Sequence, residues 1–232
     1  MIQPVELVVF DIAGTTVEDN GEIAIAFQKA LQFFGYNIPV EKINPLMGYK
    51  KTEAIERLLK EQGIRKEEIS TGYIEKIHQL FLESMIAFYS TTAQLNPLPF
   101  AEEVFASLKE RNILIGLDTG FSKEITGIII NRLGWLKDKK VDHVISSNEV
   151  TAGRPFPYMI KELMIRAKVK DVKKVIKVGD TEVDINEGRN AGCLYSIGIT
   201  TGAFTKGQLA DHTPSFIIDH LKELIPIIDN IQ

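Results

Sequence analysis

The feature that most constrains this chain is a series of short, β-branched apolar runs, each halting at small or polar residues. They are Val5 to Phe10, Ile113 to Leu117, Val141 to Ser146, Val175 to Val178, Tyr195 to Ile199 and Phe216 to Ile218. Runs this short, with little polar alternation, predict strands buried on both faces, as in a parallel sheet. From Ala101 onward they alternate with amphipathic stretches (AEEVFASLKERN, SKEITGIIINRLG, PYMIKELMIRA, EVDINEGRNAG), the order expected of an α/β, doubly wound parallel sheet with helices on both faces.

Between the first run and that series lies a long stretch of helical periodicity without a convincing strand: IAIAFQKALQFFG, TEAIERLLKEQG and YIEKIHQLFLESMIAFYS. Gly35 and Gly63 stand where helix ends use a left-handed residue, and the prolines of TTAQLNPLPF should end the third helix. The stretch reads as a helical cap inserted into the core. The expected domains are 1–17 and 95–232 for the core and 18–94 for the cap, with the return near Pro97. Inserted caps of this kind commonly cover active sites.

Ligands of open parallel sheets bind beyond the carboxyl ends of the strands, so the residues that follow each run come first. The first run ends VVFDIAGTT, with Asp11 at the tip, Ala13 and Gly14 permitting a tight turn, and the Thr15 and Thr16 hydroxyls close behind, Thr15 as a candidate for binding phosphate. The second ends IGLDTGF, where Thr119 and the Gly120 amide can hydrogen-bond an anion. After the third comes SSNEVTAGRPFPYM, with Arg154 able to offer a fork of donors. The fourth gives VGDTEVDINEG, placing Asp180 at the tip and Asp184 one helical turn on. With Asp11, these acids suit a hard cation. Taken singly, each has a bland reading as a turn former, a helix cap or a surface charge. Four coincidences in order do not.

In that order the segments resemble the haloacid dehalogenase superfamily, whose motifs are an aspartate nucleophile, a threonine or serine, a lysine or arginine, and an acidic pair. The resemblance implies a Rossmann-like core. It implies that Asp11 attacks phosphorus, that Mg2+ is held by Asp11, the Ala13 carbonyl and Asp180 with support from Asp184, and that Thr119 and Arg154 steady the phosphoryl oxygens.

Phosphatases of that superfamily place a proton-transferring aspartate two residues after the nucleophile, and here Ala13 stands there. A methyl group moves no protons, so another group assists the leaving oxygen or the leaving group is not an alkoxide. FDIAGTTV, AGRPFPYM and GDTEVDINEGRNAG resemble the phosphonatases, which hydrolyse phosphonoacetaldehyde and share that alanine. The likeness extends to PLMGYKK, where Met47 and Gly48 precede Lys51, the position from which that family forms a Schiff base with the substrate aldehyde. A protonated imine would accept the electrons left on carbon when a carbon–phosphorus bond breaks. A lysine of ordinary pKa is neutral in only about four parts per ten thousand at pH 7, so burial and repulsion from Lys50 are expected to lower it. Two family features differ: Ala54 replaces a histidine, and Phe121 replaces an aromatic hydroxyl. A phosphomonoesterase of the phosphoglycolate type is the second expectation, and a retired binding or regulatory protein the third.

The 27 basic and 31 acidic residues leave a net charge of -4 and no basic stripe, which argues against nucleic acid as a partner, and the resemblance implies a small phosphonate or phosphate ester instead. No apolar run reaches membrane-spanning length, no signal peptide is apparent, and Cys193 stands alone, so a cytoplasmic, membrane-free protein is expected. Cys193, Trp135 and the pair Phe33 and Phe34 read as packing residues. The apolar cap helix IHQLFLESMIAFY leaves a homodimer open.

Overall fold

A computed structural model describes residues 5–65 and 68–231. Six parallel strands form one sheet: β1 (Leu7–Asp11), β2 (Leu114–Thr119), β3 (His143–Ser146), β4 (Val175–Gly179), β5 (Tyr195–Ile199) and β6 (Phe216–Ile218). Their order is β3-β2-β1-β4-β5-β6. Because β1 lies between β2 and β4, the chain winds outward in both directions from it. The point where the winding reverses lies beyond the carboxyl ends of β1 and β4, where ligand crevices open in such sheets. The doubly wound expectation therefore holds, and the strand ends shift by one or two residues from the apolar runs.

Both faces are covered. Leu7, Val9, Ile145 and Val175 pack under α7 (Tyr158–Ala167) through Met159, Ile160 and Leu163. Cys193 joins this layer, and its burial pushes the thiol up to about 12, which fits a filler rather than a nucleophile. On the other face Val8 and Phe10 meet α5 (Ala101–Glu110) and α6 (Lys123–Leu133), with Phe105 edge-on to both Phe10 and Trp135. Trp135 is fully buried and donates its indole N–H to Glu102 at 2.8 Å, as expected of a packing residue. The remaining core helices are α8 (Glu182–Ala191), α9 (Lys206–Asp211) and α10 (Leu224–Asp229).

The stretch between β1 and α5 folds into α1 (Glu22–Phe33), the single turn α2 (Val40–Ile43), α3 (Lys51–Glu61) and α4 (Thr71–Thr91). Gly35 and Gly63 adopt φ of 89° and 80°. The strip Ile77, Phe81, Met85 and Tyr89 of α4 is buried, and Phe81 packs edge-on to Phe27 of α1 at 5.1 Å. The apolar face of this helix thus serves the cap's own core. Phe33, by contrast, is 77% exposed and corrects the expectation that it packs.

The chain crosses into and out of these helices side by side. Val17 bridges Pro97 antiparallel, and Leu98 donates to the Thr16 carbonyl at 2.9 Å. Arg132 of α6 caps the end of α4 by donating to the carbonyls of Tyr89 and Thr92 at 2.7 and 2.8 Å.

Candidate active site

The tips of β1, β2 and β4, the loop before α7 and the cap loop before α3 converge on one cleft. Its walls include Asp11, Ala13, Asp19, Met47, Gly48, Lys51, Thr119, Gly120, Arg154 and Asp180. Most of the residues singled out from sequence therefore meet here, although up to 169 positions separate them.

Asp11 ends β1 beside Asp118 of β2. The turn that follows is tied by the Thr16 hydroxyl, which donates to the Asp11 carbonyl at 2.9 Å. Gly14 takes φ of 82°, and a side chain there would stand 2.8 Å from the Asp180 carboxylate, so glycine meets both a conformational and a steric demand. Thr15 does not face the cleft as expected of a phosphate-binding residue: it is fully buried and donates to Asp180 at 3.3 Å. The Ala203 amide donates to the same carboxylate at 2.7 Å.

Arg154 is 1% exposed and joins two carboxylates, donating to Asp11 at 2.7 Å and to Asp184 through its other terminal nitrogen. Asp184 opens α8 in a capping box with Thr181 and lies behind Arg154 rather than on the cleft wall. Thr119 accepts the Phe121 amide at 3.2 Å, which leaves its own proton free to donate into the cleft. Gly120 lies against the cap: a methyl group there would come within 2.6 Å of the Tyr49 carbonyl. Gly48 is pressed against Thr181 and Val183, where a side chain would collide. Tyr49 completes the cap contact by donating to Glu182 at 2.7 Å.

Lys51, first residue of α3, is 3% exposed. Its ammonium donates to the carbonyls of Met47 and Tyr49 and lies 5.3 Å from the centre of the Phe121 ring. Burial, reinforced by repulsion from Arg154 and opposed by Asp11, Asp19 and Asp180, lowers it to about 8. The repelling cation is thus Arg154 and not Lys50, because the neighbour that matters comes from a distant loop.

A charge network that sequence reading missed lies beneath the site. Lys177, in the middle of β4, is fully buried and contacts Asp118, Asp184 at 3.1 Å and Glu187 at 3.4 Å. Neither Glu187 side-chain oxygen has a well-aligned hydrogen-bond partner, and burial with the nearby Asp118 raises this acid well above its ordinary range. A lysine inside an apolar run was the available signal.

Negative charge exceeds positive at the tips. Burial raises Asp11 to about 6 against the pull of Arg154, and burial with the charges of Asp11 and Asp184 raises Asp180 well above the usual carboxylate range. Such a donor set fits a divalent cation, which would relieve the repulsion. One oxygen each from Asp11, Asp118 and Asp184 lies within 4.8 Å of the others, a grouping that could hold a metal. Asp118 and Asp184 are both paired to Lys177 beneath the cleft, whereas Asp11 and Asp180 line it. Among the described residues no helix is long and apolar enough to cross a membrane.

Known proteins resemble this chain in sequence and fold. A phosphonoacetaldehyde hydrolase of Bacillus cereus (strain G9842) is 33% identical over 97% of this chain and 87% of its own length. The crystal structure of a phosphonoacetaldehyde hydrolase-like protein from Oleispira antarctica superposes with a TM-score of 0.85 at 23% identity, covering 98% of this chain and 92% of that one. A β-phosphoglucomutase from Clostridium difficile shares the fold with a TM-score of 0.80 at 19% identity, covering 97% of each chain. The model of the haloacid dehalogenase-like hydrolases matches residues 8–197. The chain therefore belongs to the haloacid dehalogenase-like hydrolase family.

Proposed function

We propose that this hydrolase cleaves the carbon–phosphorus bond of phosphonoacetaldehyde or a closely related carbonyl phosphonate, with Asp11 as nucleophile and Lys51 as the imine-forming amine. The observation that carries the reading is Lys51 itself: a buried cap lysine, lowered to about 8, that shares one cleft with Asp11. A phosphate ester gives such an amine nothing to react with.

Lys51 condenses with the aldehyde, and the resulting imine is protonated. The Asp11 carboxylate attacks phosphorus, the carbon–phosphorus bond breaks, and its electron pair passes into the iminium to give an enamine. Protonation at carbon and hydrolysis then release acetaldehyde, and water cleaves the aspartyl phosphate. Arg154 offers its guanidinium, and Thr119 and Gly120 their hydrogen-bond donors, to the phosphoryl oxygens, while Met47 and Gly48 shape the cap side of the cleft. Asp11, the Ala13 carbonyl, Asp180 and Asp184 would hold Mg2+, which supplies charge neutralisation for an anion approaching a carboxylate. Asp11 carries no acid beside it because an enamine leaving group needs none at oxygen.

Borohydride reduction in the presence of phosphonoacetaldehyde should leave a mass adduct on Lys51. No adduct, together with turnover of small phosphate monoesters, would favour the phosphomonoesterase reading, which the residues Ala54 and Phe121 also motivate.

A further inference from the structure

The reaction proposed above moves protons at the carbon end of the substrate, and neither Ala13 nor Ala54 can carry them. The ionisable residues on the cleft wall are Asp11, Asp19, Lys51, Arg154 and Asp180. Asp11 is taken as nucleophile, Lys51 as amine, Arg154 stays charged, and Asp180 is held by Ala203 and Thr15. Asp19 has no role yet.

Asp19 stands on the loop from β1 to the cap, half-buried, and joins Lys51 on the walls of the same cleft. Its Oδ1 accepts the Gly21 amide at 3.0 Å, which fixes the carboxyl group just before α1. Burial and the nearby Glu22 raise its pKa, although the amides of Gly21 and Ile23 and the charge of Lys51 pull the other way. A carboxyl group so placed exchanges a proton more readily near neutral pH than an exposed one.

We propose that Asp19 is the proton-transferring residue of the carbon half-reaction, an assignment that rests on imine formation at Lys51. As the acid, it gives its proton to the carbinolamine hydroxyl, which leaves as water while the nitrogen lone pair closes the carbon–nitrogen double bond. After the carbon–phosphorus bond breaks, the reprotonated acid delivers a proton to the enamine carbon, restoring the iminium. As the carboxylate, it then takes a proton from the water that adds to the iminium carbon. Each proton given is recovered from water, and no oxidant or reductant is required.

A carboxylate that only caps the turn before α1 would use Oδ1 and nothing more, and Asp19→Asn preserves that acceptor. The test measures phosphonoacetaldehyde turnover and the rate of borohydride-trapped adduct formation in the wild-type enzyme, Asp19→Asn and Asp19→Ala. Thermal stabilisation by beryllium fluoride with magnesium reports whether the phosphoryl end is intact. Asp19→Asn should lower both turnover and adduct formation by about 10²-fold or more. It should leave the beryllium fluoride response unchanged, and formate should restore part of the activity of Asp19→Ala. A wild-type adduct that forms equally fast in Asp19→Asn, or formate without effect, overturns the role of Asp19 and leaves that of Lys51 standing. A wild-type enzyme that gives no adduct overturns both.

Discussion

Replacing Lys51 by methionine tests the central feature of the site, because the same burial that makes the amine reactive makes it destabilising. A fall from 10.5 to about 8 means that the folded state holds this proton less tightly than the unfolded chain. At about 1.36 kcal/mol per pKa unit, the charged ammonium costs the native state about 3 kcal/mol at pH values well below 8. The unfolded chain binds more protons between pH 8 and 10.5, so stability must rise with pH across that window. Methionine also forfeits the hydrogen bonds to the Met47 and Tyr49 carbonyls. That loss does not depend on pH, so the comparison between pH values removes it.

Urea unfolding of both proteins from pH 7 to 10 gives the measurement. The stability of wild type relative to Lys51→Met should increase by about 2 to 3 kcal/mol over that range. In parallel, adduct formation with the aldehyde should climb about tenfold per pH unit and level off above pH 8, since about one amine in ten is already neutral at pH 7. Parallel stability curves, or an adduct rate still climbing beyond pH 9, would place Lys51 near its ordinary pKa and refute the reasoning.

Three further outcomes are expected. Ala13→Asp should restore a proton donor for alkoxide leaving groups and raise hydrolysis of alkyl phosphates by about 10²-fold or more in a phosphate-release assay, without a matching gain on the phosphonate. Arg154→Met removes the cation between Asp11 and Asp184, and the uncompensated buried charges should cost about 3–5 kcal/mol in urea unfolding, a loss that magnesium partly reverses. Gly48→Val should hold the cap loop off Thr181 and Val183, lowering adduct formation at Lys51 while stabilisation by beryllium fluoride and magnesium persists.

The sheet was legible because its strands are buried on both faces: Val8 and Phe10 serve one apolar layer and Leu7 and Val9 the other, so the sequence shows an unbroken run. The tip residues were legible for a related reason, since a polar side chain that halts such a run has few places to go except the crevice beyond it. The pairing of Lys177 with Asp118 was not, because 59 residues separate them and a single charge in a strand carries no periodicity. Asp19 was missed because an acid just before a helix reads as a turn residue, and its Oδ1 does hold the turn by accepting the Gly21 amide. Thr15 was misplaced because spacing from Asp11 brings its hydroxyl near the site without saying that Asp180 takes it.

Lys51 ties the chemistry to the position of the cap. Its depression to about 8 comes from burial and from Arg154, a residue of the core, so both causes act only while the loop Met47 to Lys51 sits against β1, β2 and β4. Withdrawn into water, the amine would return toward its ordinary value, and its neutral fraction at pH 7 would fall by about two orders of magnitude. The contacts that hold the loop down are backbone approaches at Gly48 and Gly120 and the Tyr49 to Glu182 hydrogen bond, none of which involves the reacting atoms. In the proposed mechanism, closure would thus supply two conditions at once: it brings the amine into one cleft with Asp11 and makes it nucleophilic. In that mechanism no acid is needed at position 13, because the leaving group would be activated from the cap and only while the cap is shut.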